Sequence, residues 1–250
     1  MSLKKRKKSK KNKEILILVV LVLLIGLGFG IKKLFDNGFF DKVKDKIIEP
    51  EKKLKIIDLD SDTRPVGVLI DNIGAARPQA GLNDAYLVYE IIVEGGYTRL
   101  FALFKDVDTK MIGPVRSVRH YFIDYALEND AALVHYGWSP QAQSDIKSLN
   151  INNLNGLTNP GGMFWRDSTI TKAPHNAFTS MSKIREQMRK NGYDKKVTDT
   201  LLNYNVDEID LSSREDAIVA NSITIKYSNF QTTSYEYDSE NKVYKRSMNG

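Results

Sequence analysis

The chain has 250 residues, a formal net charge of +6 and no cysteine. Without cysteine, disulfide bonds, a thiol nucleophile, thiolate metal ligands and a lipid-modified cysteine are all excluded. Residues 1–13 carry eight of the 37 basic side chains and none of the 31 acidic ones, so the 29 basic side chains that remain nearly balance the acidic ones. The positive charge therefore belongs to the N-terminal tail, and we expect no nucleic-acid partner.

Residues 15–31 form an uncharged apolar run directly after this tail. A helix of that length spans roughly 25 Å, which is enough for a hydrocarbon core when flanking side chains reach the interface. The basic tail predicts that residues 1–14 stay in the cytoplasm and that the rest is extracellular. A cleaved secretory signal is the alternative, but the run ends at Ile31-Lys32-Lys33 without small residues at a cleavage-type spacing. We therefore predict a single-pass anchor in the lipid bilayer.

The remainder of the chain divides into three predicted parts. Residues 32–62 are rich in Lys, Asp and Glu and predict a stalk, with a short helix near residues 39–48. An ectodomain follows over residues 63–210, and residues 211–250 begin a β-rich part. The last residues still have the pattern of a strand, so we expect the protein to continue beyond them.

Four short apolar runs bounded by turn residues predict buried strands. They cover residues 66–70, 87–93, 99–104 and 131–136, and Gly95-Gly96 forms the turn between the second and the third. Nearer the C-terminal end, residues 222–228 alternate between apolar and polar. Residues 234–246 predict a β-hairpin that turns at residues 239–241.

Three helices are predicted from their start signals. Gly113-Pro114 places Pro at a first helical position, and apolar residues follow at helical spacing as far as Ala126. Ser139-Pro140 starts a second helix, which ends near Leu149. Thr179-Ser180 starts a third, which Asn191-Gly192 ends. Strands that alternate with helices predict an α/β to α+β fold, in which a mixed sheet has flanking helices.

Five segments together resemble the YerB family, a group of membrane-anchored or lipoprotein-type proteins of Gram-positive bacteria that is catalogued as a domain of unknown function, DUF3048. The resemblance implies a location in the cell envelope and a continuation past residue 250, but it implies no settled reaction. Some relatives carry a lipid-modified cysteine, which this chain lacks. The segments are Glu94–Arg99, Ile112–Arg119, His135–Ala142, Phe164–Asp167 and Ala173–Ser180.

Arg116 and Arg119 are the strongest candidates for ligand binding. Three residues apart in the first turns of the predicted helix, they would share one face. The unpaired N–H groups and the positive dipole end of a helix would add to the two guanidinium groups. This combination predicts a site for a carboxylate, a phosphate or an anionic sugar, which Arg99 and Arg166 would join.

The alternative for these arginines is a structural network inside the domain. In that arrangement each guanidinium group pairs with an acidic side chain, and no ligand is needed. The candidate partners are Glu90, Glu94 and Asp124.

Glu94 and His175 are the candidates for catalysis. On a strand, Glu90 and Glu94 lie about 13 Å apart, too far for a retaining carboxylate pair. Glu94 alone, at a strand end, is a candidate general acid if burial raises its pKa. His175 lies in the loop Pro174–Asn176, together with the candidate ligand-binding residue Asn176, and loops on a rigid frame often carry function. Hydrogen bonding that fixes the loop is the alternative role for His175.

Aromatic residues near Arg166 suggest a stacking platform for sugar rings. Trp138, Phe164 and Trp165 flank predicted loops, although such side chains more often belong to a core. The three histidines have no metal-ligand spacing, so we expect no metal site and no cofactor.

Together these patterns predict a membrane-anchored extracytoplasmic protein of a Gram-positive cell envelope. We expect it to bind peptidoglycan, an anionic wall polymer or an exported partner through an arginine-lined site. The alternative is an enzyme that cleaves cell-wall glycan with Glu94 as general acid. An unpaired carboxylate in an open cleft would favour the enzyme, whereas carboxylates already paired with arginine inside a closed core would favour a binding or scaffold role. The sequence leaves the oligomeric state open.

Overall fold

The computed structural model describes residues 57–58, 60–158, 161–197, 201–205 and 209–249. All of these residues belong to one compact unit, which covers residues 55–250. The predicted anchor and the predicted stalk helix lie outside the described residues. Among the helices that are described, none is both long enough and apolar enough to cross a membrane.

The regular elements are numbered here in chain order. A five-stranded sheet contains β1 (Val66–Asp71), β2 (Leu87–Ile92), β3 (Thr98–Phe104), β4 (Ala132–His135) and β5 (Asn153–Asn155). A two-stranded sheet contains β6 (Trp165–Arg166) and β7 (Ala177–Phe178), and a three-stranded sheet contains β8 (Ser222–Lys226), β9 (Thr232–Asp238) and β10 (Val243–Met248). The helices are α1 (Phe122–Glu128), α2 (Pro140–Ser148) and α3 (Met181–Asn191), and 3₁₀ turns cover Gly74–Ala76, Leu82–Asp84 and Glu94–Gly96.

The five-stranded sheet is mixed, which confirms the predicted α+β class with a mixed sheet. Its spatial order is β2-β3-β1-β4-β5. β3 runs antiparallel to both β1 and β2, whereas β1, β4 and β5 run parallel to one another. The C-terminal ends of β1, β4 and β5 therefore meet at one edge, which is where ligands commonly bind in α/β sheets.

Helices cover the sheet on both faces and bury its central strand. Successive β1 residues contribute to two different core clusters, with Val68 and Ile70 in one and Leu69 in the other. The first cluster includes the apolar side of α3, and the second includes the apolar sides of α1 and α2. Every residue of β1 is consequently buried, because side chains on a strand point alternately to its two faces.

Most of the predicted elements are confirmed. The four strands, the C-terminal hairpin and the two later helices lie within a few residues of their predicted bounds. The Ser139 side chain caps α2 by accepting a hydrogen bond from the Ala142 backbone N–H at 3.2 Å. Gly192 ends α3 in a left-handed conformation with φ of 69°.

The helix predicted to start at Gly113-Pro114 is wrong over its first half, because α1 begins only at Phe122. The preceding segment is extended and joins the end of β1. The Asp71 N–H donates to the Pro114 carbonyl at 2.9 Å, and the Arg116 N–H donates to the Leu69 carbonyl at 2.9 Å. The backbone groups of this segment therefore find partners on β1 instead of within a helix, so Arg116 and Arg119 do not lie at a helix start.

Glu90 joins the three-stranded sheet to the five-stranded sheet. Its buried carboxylate accepts hydrogen bonds from Thr98 Oγ1 on β3 at 2.7 Å and from Asn72 Nδ2, directly after β1, at 3.0 Å. From the three-stranded sheet, Thr233 Oγ1 approaches it at 3.0 Å and Arg246 Nη2 at 2.8 Å. The arginine partner of Glu90 is therefore Arg246, and not one of the arginines of the candidate site.

Candidate functional site

A buried carboxylate marks the C-terminal end of β1. Asp71 is only 2% exposed, and its Oδ2 lies 2.9 Å from Arg116 Nε and 2.7 Å from His175 Nδ1. Arg99 is the direct neighbour of Asp71 on β3 in the strand register. We refer to Asp71, Arg99, Arg116 and His175 as the Asp71 cluster.

Four chain segments bring the Asp71 cluster together, one of which is β3 with Arg99. Asp71 is the last residue of β1, and the extended segment that carries Arg116 pairs with this end of the strand. The Val115 N–H donates to the Ala177 carbonyl at 2.6 Å, which places the loop of His175 beside the same segment. The cluster therefore depends on long-range pairing rather than on a local motif.

Arg116 presents a partly free guanidinium group. Its Nε faces Asp71 at ion-pair distance, although the direction is not that of a hydrogen bond. Its side chain is 27% exposed, and within the described ranges its two terminal nitrogens have no protein partner. Two N–H groups on one planar fork suit a carboxylate or a phosphate.

Arg99 supplies a positive charge beneath the surface. It is 5% exposed, and its Nη1 donates to the Ser117 carbonyl at 2.5 Å. Burial, together with repulsion from Arg119, lowers the pKa of Arg99 to about 10, while Asp71 acts in the opposite direction. Arg99 therefore remains charged at neutral pH and supports negative charge nearby.

Glu94 and Arg119 form an ion pair beside the cluster. Arg119 Nε donates to Glu94 Oε1 at 2.5 Å, and this hydrogen bond lowers the pKa of the Glu94 carboxyl group. A general acid needs the opposite, a carboxyl group that holds its proton at neutral pH. The geometry therefore agrees with the structural role that the sequence offers as the alternative for Glu94.

We expect Arg119→Gln to raise the Glu94 pKa toward that of an ordinary glutamate. The lowered pKa means that the ion pair stabilises the folded state at pH values above the pKa of a glutamate in the unfolded chain. This contribution to stability disappears as the pH falls through the folded-state pKa. A carbon-detected NMR titration of the Glu94 carboxyl group measures the change. Arg189→Gln, on the exposed side of α3, is the matched control and should leave Glu94 unchanged. An unaltered Glu94 pKa in Arg119→Gln would show that the pair does not persist in solution.

Arg166 on β6 and Asn176, directly before β7, extend the site. Arg166 Nη1 donates to Asn176 Oδ1 at 2.7 Å, and Asn176 Nδ2 donates to Ser168 Oγ at 3.0 Å. The Arg166 guanidinium carbon lies 5.0 Å from the ring centre of Tyr136, and the Tyr136 N–H donates to the Arg116 carbonyl at 2.9 Å. Arg166 is thus an exposed cation next to the cluster, and Asn176 orients it.

The candidate aromatic residues lie in two different places. Trp138 packs against buried His135, with ring centres 5.6 Å apart, and lines a different groove. Phe164 packs edge-on against Tyr136 at 5.5 Å. Searched over the described residues, the structure has no group of three or more His, Asp or Glu side chains placed to hold a metal ion.

Sequence reasoning missed two residues of this site, Asp71 and Tyr136. Asp71 directly follows the strand predicted over residues 66–70 and is absent from the candidate residues. A charged residue that directly follows an apolar run such as residues 66–70 can nevertheless indicate a binding site. A buried strand places the residue after it at the sheet edge where ligands bind. No pattern in the sequence indicates the contact between Tyr136 and Arg166.

Residues 54–194 match the sequence profile of the DUF3048 N-terminal domain, a domain of unknown function. The chain is 34% identical over 209 residues to the "putative lipoprotein YerB" of Bacillus subtilis strain 168, and the match covers 82% of this chain and 61% of that protein. The crystal structure of the YerB protein from Bacillus subtilis superposes with a TM-score of 0.67 at 32% identity, covering 80% of this chain and 64% of that one. The chain therefore spans less than two thirds of the length of these relatives.

Proposed function

We propose a function for this chain, which belongs to the DUF3048 family as its resemblance to YerB predicts. In this proposal it is an extracytoplasmic envelope protein. It binds an anionic cell-wall component through Arg116. The name of the Bacillus relative, a lipoprotein, supports attachment to the outer side of a membrane. This chain has no cysteine to carry a lipid. In this proposal the apolar run over residues 15–31 anchors it instead.

The observation that carries the proposal is the free end of Arg116. Asp71 fixes this side chain from one side, so the guanidinium group is oriented before a ligand arrives. A ligand with two oxygen atoms, such as a phosphate or a carboxylate, can accept both terminal N–H groups. Orientation in advance reduces the entropy that binding costs.

The charge around the cluster supports an anionic ligand. The cluster and its surroundings contain four arginines, at positions 99, 116, 119 and 166, and two carboxylates, those of Asp71 and Glu94. Two positive charges therefore remain in excess. Both carboxylates already pair with arginine, Asp71 inside the core and Glu94 at the surface, and this pairing supports binding over catalysis.

The proposal is tested by co-sedimentation with cell walls. The full chain, kept soluble in a zwitterionic detergent, is mixed with purified walls before and after mild hydrofluoric acid removes phosphodiester-linked polymers. We expect most of the protein to pellet with intact walls, and the pelleted fraction to fall severalfold with stripped walls and at high salt, because salt screens exposed charges. Equal pelleting with both wall preparations would overturn the anionic ligand.

One observation favours a second candidate function, a wall-cleaving enzyme. Asp71 holds the Nδ1 side of His175 at 2.7 Å, and the Nε2 side has no partner in the described part of the chain. An aspartate that orients a histidine in this way can make it a general base toward water. Release of soluble fragments from purified walls by the wild type, and not by His175→Gln, would favour this candidate. Mass spectrometry detects such fragments.

A further inference from the structure

We propose that a second site, a groove along β5, binds an uncharged sugar chain. The groove has a volume of about 580 Å³ and lies between α2 on one face of the sheet and α3 on the other. It shares no lining residue with the Asp71 cluster. We call it the amide groove, and the residues that matter to the argument are Trp138, Gln143, Asn150, Asn155, Gln187 and Tyr193.

The chemistry of the lining suits hydroxyl and acetamido groups. Side-chain amides come from α2, from the loop after it, from β5 and from α3, and each amide both donates and accepts hydrogen bonds. Sugar hydroxyl groups also do both. Lys147 is the one charged residue among the described residues that line the groove. The groove therefore lacks the excess of charge that an anionic ligand would need.

Asn155 gives an independent indication of a ligand. Its side chain is 2% exposed, and its Oδ1 accepts hydrogen bonds from the N–H groups of Gly137 at 2.9 Å and Leu157 at 3.0 Å. Its Nδ2 is buried with no partner in the part of the chain that the structure describes. A buried donor without an acceptor is unfavourable, and an oxygen atom of a ligand in the groove would supply the missing acceptor.

Trp138 supplies an apolar wall. Its ring is held against His135, while its backbone pairs with Val118, so the indole position is fixed from behind. Part of the indole remains uncovered and lines the groove. Aromatic rings of this kind pack against the C–H face of a sugar and leave its hydroxyl groups to polar side chains.

Gln143 can be substituted to test the groove without disturbing the fold. It is exposed on α2, and within the described ranges its side chain makes no hydrogen bond. Gln141 lies on the same helix, is also exposed, and does not line the groove. The two residues are exposed glutamines on one helix, of which Gln143 lines the groove, whereas Gln141 donates a hydrogen bond to Asp145 at 2.7 Å.

The experiment is an isothermal titration of the full chain with chitotetraose, a linear tetramer of N-acetylglucosamine, in a zwitterionic detergent that carries no sugar. We expect saturable binding that changes less than twofold between about 50 and 500 mM NaCl, because the ligand is uncharged. Gln143→Ala should weaken binding about fivefold to tenfold, the loss expected for about one hydrogen bond. Gln141→Ala should bind like the wild type. Arg116→Gln should also retain chitotetraose binding, which separates this site from the anionic one.

Three results would overturn the proposal. The first is no saturable binding of chitotetraose up to about 10 mM, as expected if the groove instead accepts an extended peptide beside the edge strand. The second is equal affinity in Gln143→Ala and Gln141→Ala. The third is an unchanged Trp138 fluorescence on saturation, measured in a Trp165→Phe background so that Trp138 is the remaining tryptophan.

Discussion

Arg116→Gln is expected to weaken binding of the full chain to a phosphate-bearing wall polymer by tenfold or more. Glutamine keeps part of the side-chain volume but removes the charge and the two N–H groups of the fork. Hydrogen bonds to charged groups contribute about 1.5–3 kcal/mol, which corresponds to roughly a tenfold to hundredfold change in Kd. Equilibrium co-sedimentation at low salt measures the difference. Arg116→Lys should give an intermediate loss, because an ammonium group keeps the charge but not the fork.

Controls separate lost binding from lost folding. Arg116→Gln leaves the buried Asp71 carboxylate without its arginine partner, and an unpaired buried charge destabilises a protein. The double variant Asp71→Asn plus Arg116→Gln replaces the ion pair by two amides and should restore thermal stability but not binding. Arg189→Gln removes the same charge from exposed α3 and should bind almost like the wild type. A folded Arg116→Gln protein with wild-type affinity would contradict the proposed role of this residue.

Gly67→Ala is expected to be the most destabilising small substitution in the five-stranded sheet. A Cβ atom at position 67 would lie 2.1 Å from Phe101 Cζ, far inside van der Waals contact. Phe101 has no room to retreat, since it is fully buried and packs against Phe122 with ring centres 6.3 Å apart. Overpacking of a core costs about 1–3 kcal/mol and occasionally more. We expect the upper end of this range, a fall in Tm of about 6–12 °C.

The measurement is thermal unfolding followed by circular dichroism. Gly74→Ala is the matched control, because nothing lies within 4 Å of the added Cβ, and its Tm should stay the same or rise slightly. Adding Phe101→Leu to Gly67→Ala should recover part of the loss, because the smaller side chain relieves the collision. If Gly67→Ala and Gly74→Ala unfold at the same temperature, the close approach of β1 to Phe101 is wrong.

The strands were predictable because local pattern and tertiary burial agree. The run that became β1 is apolar on both faces, as a central strand covered by two layers must be. The C-terminal hairpin alternates and carries turn residues at its tip, so its pairing is also encoded locally. In these elements the sequence within about ten residues contains the information that determines the structure.

The segment after Gly113 shows where local reasoning fails. Pro114 satisfies the rule for a helix start, but it equally suits an extended backbone. The choice is made by the end of β1, which offers backbone partners to Pro114 and Arg116. Such partners are distant in sequence, so no local pattern reports them.

The candidate site was only partly predictable, because its residues come from segments that are distant in sequence. The residue types that recognise anions pointed to Arg99 and Arg116, and the search for catalytic residues pointed to His175. The fold brings all three together around one carboxylate. The carboxylate itself, Asp71, was not singled out, because an acidic residue after a strand is more often part of a turn. The ion pair of Glu94 with Arg119 was foreseen as an alternative. Trp138 was selected for sugar stacking, and it lies in the amide groove.

The most direct test of the central claim is to observe the Arg116 guanidinium group while the ligand binds. In a nitrogen-15 NMR titration of the full chain with a phosphate-bearing wall polymer, the Arg116 Nε–H signal should shift with the same saturation curve as co-sedimentation. The signal of Arg189, which is exposed on α3 and does not belong to the Asp71 cluster, should stay in place. Saturable binding of the polymer with no change at Arg116 would place the ligand elsewhere and contradict the account.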